Sequence, residues 1–258
     1  MSSRTVKVAI NGAAGRMGQR LIALGAESKE LRIVAAIEAA GNPTVGSQAG
    51  PVTITDTLVG QPDVVIDFSL PAGTMAILPE VVKAGAAMVI GTTGFEPAQQ
   101  AKIDEAARRI PIVQAANMSM GVNLLFKLVA EAAKALGEAY DIEIVEAHHR
   151  FKKDAPSGTA MGLAKSICAA TGKDLDATLK HGREGISPRQ SGEIGMHAVR
   201  VGDTIGEHTV YFGSLGETIT MGHSAHTRDT FANGALRAAG WVKGKPAGKY
   251  SMADVLGL

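Results

Sequence analysis

The chain has 258 residues, 45% of them hydrophobic and 20% charged, with a formal net charge of +1. That length and balance suit a folded protein of one large or two modest domains and argue against a disordered chain. A charge so near zero leaves no bulk electrostatic case for nucleic acid or an anionic membrane, and no apolar run approaches a membrane span.

Residues 1–4 carry no charged-then-apolar leader and run directly into a strand-like segment, so a cytoplasmic location is expected. Strand signals then alternate with helical ones: strand 6–10, helix 15–24, strand 31–37, strand 63–68, helix 74–83, strand 87–90, helix 97–108 and strand 111–114. These strands are nearly continuous in apolar character, which implies a parallel sheet covered on both faces. After a helix at 121–136 the texture changes. Residues 141–146 alternate as a half-exposed strand should, and a helix at 157–171 follows. It contains Cys168, the single cysteine, which reads as a small buried residue and leaves neither a disulfide nor a cysteine-based metal centre available. Beyond a glycine-punctuated loop at 181–192, three alternating runs at 197–201, 208–212 and 218–221 suggest an antiparallel meander, with Gly213-Ser214-Leu215-Gly216 as one turn. An open sheet of this kind can pair with other subunits. A closing helix is expected at 228–242, and the tail ends at 252–256. The fold class is therefore α/β, a parallel-sheet domain over 1–119 followed by an α+β domain over 120–228.

The first strand runs into Asn11-Gly12-Ala13-Ala14-Gly15-Arg16-Met17-Gly18, which opens a helix. Glycines there allow a tight turn and let backbone amides approach a pyrophosphate at the helix start. The spacing is G-x-x-G-x-x-G, only moderately specific alone, but strand and helix flank it as a dinucleotide site requires. Glu38 lies 20 residues beyond Gly18, where an acid accepts hydrogen bonds from the adenine-side ribose. Ala39-Ala40-Gly41-Asn42 offers no cation for a 2′-phosphate, so NADH is expected to be favoured over NADPH. Gly91-Thr92-Thr93-Gly94 and Ala115-Ala116-Asn117-Met118-Ser119 follow strands at their carboxyl ends. Either loop reads as plain turn chemistry or as a nicotinamide or substrate contact.

The densest signal is Glu146-Ala147-His148-His149-Arg150-Phe151-Lys152-Lys153-Asp154-Ala155-Pro156-Ser157-Gly158-Thr159. Five potentially cationic side chains occupy the six positions 148–153. A helix start follows, with Asp154 or Ser157 able to cap and Pro156 suited to the first turn. The run reads either as a solvated basic face or as a site for acid–base chemistry on an acidic small molecule, its anion held at the helix start. On a strand end, His148 and His149 face opposite sides. That weakens a zinc reading of the pair, no third ligand stands nearby, and no metal is expected.

On these motifs the chain closely resembles the 4-hydroxy-tetrahydrodipicolinate reductase (dihydrodipicolinate reductase) family of bacterial lysine and diaminopimelate biosynthesis. The likeness also takes in Phe95, Met120-Gly121-Val122-Asn123, His181-Gly182-Arg183, Gly206-Glu207-His208-Thr209 and Thr230-Phe231-Ala232-Asn233-Gly234-Ala235. It implies a Rossmann domain, a second domain with an open mixed sheet, a homotetramer assembled through those sheets, and a C-terminal stretch, 229–258, that returns to the first domain. The implied reaction is NAD(P)H-dependent reduction of a cyclic imine-type dicarboxylate, with loss of water, to 2,3,4,5-tetrahydrodipicolinate. By the same resemblance His148 is the general acid/base, Lys152 the proton donor, and His149, Gly158 and Thr159 hold substrate carboxylate. Gly12, Ala13, Ala14, Gly15, Arg16, Met17, Glu38, Gly91, Thr92, Thr93, Ala115, Ala116, Asn117 and Met118 match cofactor contacts. Ala39 departs from members that carry arginine there. Read without the resemblance, the residues also fit another Rossmann dehydrogenase of amino-acid metabolism, a cofactor-binding sensor without turnover, or a relative acting on a bulkier substrate.

Overall fold

The computed structural model describes residues 5–258; the lead into the first strand, 1–4, lies outside them. The chain begins β1 (Val6–Asn11), α1 (Arg16–Glu27), β2 (Leu31–Ile37), β3 (Gln48–Ala49), β4 (Val52–Thr55), β5 (Val64–Asp67) and α2 (Pro71–Ala84). It continues β6 (Ala87–Ile90), α3 (Pro97–Ala107), β7 (Pro111–Gln114), α4 (Met120–Leu136), β8 (Asp141–His148), α5 (Gly158–Thr171) and α6 (Leu175–Thr178). Last come β9 (Leu179–His181), β10 (Ile194–Arg200), β11 (Gly206–Ser214), β12 (Glu217–Ala225), α7 (Asp229–Val242), β13 (Gly248–Tyr250) and α8 (Met252–Leu256). Two compact units divide them: one runs to Met120 and resumes at Asp229–Leu258, the other is Gly121–Arg228.

In the first unit the sheet order is β13-β7-β6-β5-β1-β2-β4-β3, parallel throughout except for the terminal β3–β4 pair. Alternate residues of each strand enter opposite cores. Val8, Ile10, Ile66 and Val89 pack with Leu21 of α1 and Ala235 and Ala239 of α7. Ala9, Val65, Met88 and Ile90 pack with Ile77 and Val81 of α2 and Ile103 of α3. Each such large side chain, fully buried, contributes roughly 1.5–3 kcal/mol, so the apolar runs hold both helical layers to the sheet. Helix α2 starts earlier than its apolar spacing suggests because Pro71 takes a first-turn position. The short strands β3, β4 and β13 are not evident in the sequence pattern.

The second unit is a five-stranded mixed sheet, β12-β11-β8-β10-β9. Helices α4 and α5 cover one face, where Leu125, Val129, Leu163 and Ile167 meet Ile142, Ile144, Met196, Val210 and Phe212. Cys168 is buried in this core, and burial pushes its thiol up. The expected three-run meander is corrected here. Only β11 and β12 form a hairpin, turning at Leu215-Gly216; β8 lies between β10 and β11, parallel to the first and antiparallel to the second. The link from β10 to β11 is tied to the end of β8, with Val201 N–H donating to the His148 carbonyl and Arg150 N–H to that of Gly202. The buried row of β8, Ile142 and Ile144, thereby continues into those of β10 and β11. Among the described residues no helix is long and apolar enough to cross a membrane.

Candidate active site

In the first unit the loops after β1, β2, β5 and β6 converge at the carboxyl edge of the sheet. There the strand order turns back between β1 and β5, the place where open α/β sheets take ligands. A cavity of about 840 Å³ opens there, lined by Gly12, Gly15, Arg16, Met17, Glu38 and Gly91-Thr92-Thr93 among others. The glycines are steric requirements. A Cβ on Gly12, whose φ is +80°, would sit 2.5 Å from the Phe68 carbonyl oxygen, and one on Gly18 would sit 2.2 Å from that of Gly12. Glu38 is held by two backbone donors, the amides of Ala14 (3.0 Å) and Ala39 (3.0 Å). Asp56 and Glu80 line the same cavity. Asp56 follows Thr55, whose carbonyl accepts from Glu38 N–H, and Glu80 accepts from the Leu58 amide.

Beneath the cleft Asp67 is fully buried and accepts hydrogen bonds from Asn11 Nδ2 (2.7 Å), Ser69 Oγ (2.6 Å), Thr74 Oγ1 (2.6 Å) and Thr92 Oγ1 (2.8 Å). It therefore ties the loops after β1, β5 and β6 together from inside. Not every residue marked from the sequence lines the cleft. Ala13 and Ala14 line a separate pocket with Gln19 and Thr44. Met118 is buried in the core, Ala115 packs against it, and neither they nor Ala116 and Asn117 border the cavity.

In the second unit β8 delivers His148 at its end. Even-numbered residues of the strand point inward, so Glu146 and His148 extend the buried row of Ile142 and Ile144. His149, one step on, is half-buried on the other side, with its Nδ1 enclosed and unpartnered. His148 Nδ1 lies 2.6 Å from Glu146 Oε2. Burial lowers the proton affinity of this imidazole, and Lys152 and Arg200 lower it further; together they outweigh the opposing pull of Glu146. Lys152 Nζ pairs with Asp154 Oδ1 at 2.9 Å. Helix α5 is capped by Ser157, whose Oγ accepts from the Ala160 amide. Two local expectations are corrected: Asp154 does not cap, because its carboxylate is engaged by Lys152, and Pro156 stands before the cap rather than in the first turn. At Gly158 the helix start is open, with no atom within 4 Å of where a Cβ would be.

Two family models, described as dihydrodipicolinate reductase N-terminus and C-terminus, match residues 6–118 and 121–256. The chain belongs to the dihydrodipicolinate reductase family. A 4-hydroxy-tetrahydrodipicolinate reductase of Syntrophotalea carbinolica is 47% identical over 265 residues, covering 98% of this chain and 99% of that protein. Its counterpart in Citrifermentans bemidjiense is 48% identical with the same coverage. A solved dihydrodipicolinate reductase from Paenisporosarcina sp. TG-14, with dipicolinate bound, is 25% identical with a TM-score of 0.79, covering 97% of this chain and 99% of that one. An amine dehydrogenase of Mycobacterium smegmatis reaches a TM-score of 0.59 at 12% identity, over 96% of this chain and 95% of that one. That likeness shows the fold alone. Within this reductase fold, three polar residues to which the sequence assigned no role stand around His148: Glu146 and His208, both buried, and Arg200, partly buried. Glu146 left a signal, a carboxylate on the inward beat of an alternating strand. Arg200 left none, and His208 only its place in a matching motif, since β10 and β11 bring them to β8 through sheet pairing alone.

Proposed function

We propose that this chain reduces 4-hydroxy-tetrahydrodipicolinate to 2,3,4,5-tetrahydrodipicolinate, with loss of water, at the expense of a reduced nicotinamide dinucleotide. The observation that carries the reading is a cationic, partly buried cluster at the start of α5 in a chain that matches its family over nearly its whole length. Dipicolinate, the molecule bound in the Paenisporosarcina relative, is a planar dicarboxylate, and such an anion suits this cluster.

A nicotinamide dinucleotide held in this cleft would supply the hydride. The chain's residues supply the rest. The turn from Gly12 to Gly18 leaves backbone close enough for a pyrophosphate at the start of α1, with Arg16 beside it in the cleft. Glu38, already fixed by two amides, receives ribose hydroxyls. Gly91, Thr92 and Thr93, which line the cleft, serve the nicotinamide end. The amides of Gly158 and Thr159, with His149, hold carboxylate and so orient the ring. Hydride addition to a conjugated imine leaves an electron-rich atom, and Lys152 Nζ gives it a proton while offsetting the charge. His148, largely neutral near pH 7, carries its free lone pair on the ring nitrogen opposite Glu146 and acts as proton acceptor and relay.

NADH is the favoured cofactor in this reading. Glu38, Asp56 and Glu80 surround one side of the cleft with acid, and Ala39 offers nothing to a 2′-phosphate. NADH should bind at least about tenfold more tightly than NADPH at equal salt, a difference of roughly 1.4 kcal/mol, and Ala39→Arg should narrow the gap. Tighter NADPH binding by the unaltered protein would remove the preference. The reaction itself is tested by a coupled assay, in which dihydrodipicolinate synthase makes the substrate from pyruvate and aspartate semialdehyde while NADH absorbance is followed. Oxidation no faster than the synthase-free control would overturn the assignment. A homotetramer formed through the open sheets and a cytoplasmic location complete the proposal.

A further inference from the structure

Glu146 has no part in the proton transfers above, yet every acceptor direction of its carboxylate is used. Oε2 lies 2.6 Å from His148 Nδ1 and 2.9 Å from Arg200 Nη1. Oε1 accepts from Arg200 Nη2 at 2.9 Å and from the Ser157 amide at 3.0 Å. The side chain is fully buried, and Arg200 Nη2 donates onward to the Asp154 carbonyl at 2.6 Å. One carboxylate thus joins the imidazole of β8 to the cap of α5, and the guanidinium that neutralises it also braces the loop between them. We infer that Glu146, clamped by Arg200, is a positioning residue that holds His148 in the Nδ1–H tautomer and fixes it relative to the start of α5. The inference rests on the proposed reductase reaction for its kinetic consequences, although its geometry does not.

The chemistry follows from what each group can do. An ionised carboxylate only accepts, so His148 Nδ1 must be the donor and Nε2 keeps the lone pair. The bidentate guanidinium keeps Glu146 ionised, so the acid does not claim the imidazole's proton. Burial works against the carboxylate, but Arg200, His148 and the Ser157 amide outweigh it and hold Glu146 below the usual carboxylate range. Around His148 stand Glu146 on its own strand, Lys152 in the loop beyond, Arg200 on β10 and His208 on β11. The His208 ring meets that of His148 edge-on at 5.2 Å. Burial, with the charge of His148 next, pushes His208 down to about 4, so it acts as an uncharged prop, its Nε2 bonded to Ser157 Oγ at 3.0 Å. Gly206 keeps the far ring nitrogen clear, since a Cβ there would lie 3.0 Å from His148 Nε2.

Glu146→Gln is the test. The amide can still accept from Nδ1, but its NH2 then opposes the donors of Arg200 or Ser157, so His148 or the helix cap loses its hold. We expect kcat to fall by about 30-fold or more, the scale seen when groups that orient a functional histidine are removed. NADH affinity should stay within twofold, and protonation of His148 should move to lower pH because a neighbouring anion is gone. Nitrogen-resolved NMR of the imidazoles, recorded without substrate, should show His148 as the Nδ1–H tautomer in the unaltered protein and lose that preference in the variant. An Nε2–H tautomer in the unaltered protein would overturn the inference, as would a variant with kcat within threefold and an unshifted titration. If Glu146→Gln fails to fold, Glu146→Asp keeps the charge and the Arg200 pair but withdraws from His148; a loss of about fivefold or more in kcat supports the inference, and kcat within threefold overturns it. An unaltered protein that shows the Nδ1–H tautomer but no turnover supports the positioning role while sinking the proposed reaction.

Discussion

Lys152→Ala is expected to lower kcat by about 10²- to 10⁴-fold, the range that a positioned general acid contributes. Lys152, proposed here as the proton donor, stands in the loop that joins β8 to α5, four-fifths buried and paired to Asp154 at 2.9 Å. Its loss leaves the dinucleotide cleft intact, because every residue lining that cleft belongs to the other unit. NADH affinity should therefore stay within twofold, measured by fluorescence titration alongside the coupled assay. Lys152→Arg separates two contributions. A guanidinium preserves the charge but does not give up its proton, so that variant should bind the dicarboxylate yet remain nearly as slow as the alanine form. Turnover near that of the unaltered protein in either variant would remove Lys152 from proton transfer.

The second large effect is on stability. Gly234→Ala should cost about 3 kcal/mol or more, lowering the melting temperature by roughly 6–12 °C. A Cβ at Gly234 would lie 1.8 Å from the Met118 carbonyl oxygen and 2.9 Å from its carbon. Backbone stands on both sides of that contact, so no rotamer change relieves it. Helix α7 is pressed against the 115–119 loop here, where Ser119 Oγ and Thr230 Oγ1 also meet at 3.3 Å. Gly240, on the same helix, is the internal control: nothing lies within 4 Å of its Cβ direction. Gly240→Ala should stabilise by up to about 1 kcal/mol through helix propensity. Melting followed by Trp241, the only tryptophan, reads both variants from within α7. Equal midpoints for the two alanine forms would refute the close-approach argument.

The parallel sheet is readable because its strands are buried on both faces, and continuous apolar runs such as 64–66 and 87–90 suit such a sheet in a chain of alternating helices. The glycine turn after β1 was readable for a local reason too, since strand, tight turn and helix start occupy consecutive residues. The second sheet was harder. Periodicity identifies a strand and its inward residues but not its neighbours, so the runs at 197–201 and 208–212 read as consecutive strands of a meander, whereas β8 lies between them.

The same limit divides the candidate site. By itself the sequence determined what is local: the crowding of His148, His149, Arg150, Lys152 and Lys153 before a helix start, the capping capacity of Ser157, and the acid at position 38 without a cation after it. Propensity, charge and period act over a few residues, so a single chain read in order suffices for them. The tertiary structure alone decided that the inward Glu146 carboxylate bonds both His148 and the Ser157 amide, that Arg200 arrives from β10 to keep it ionised, and that His208 arrives from β11 to support the cap. A buried charge is tolerable only with its partners in place, and those partners lie 54 residues from Glu146 in one case and 51 from Ser157 in the other. Pairing across the sheet brings them within hydrogen-bond distance.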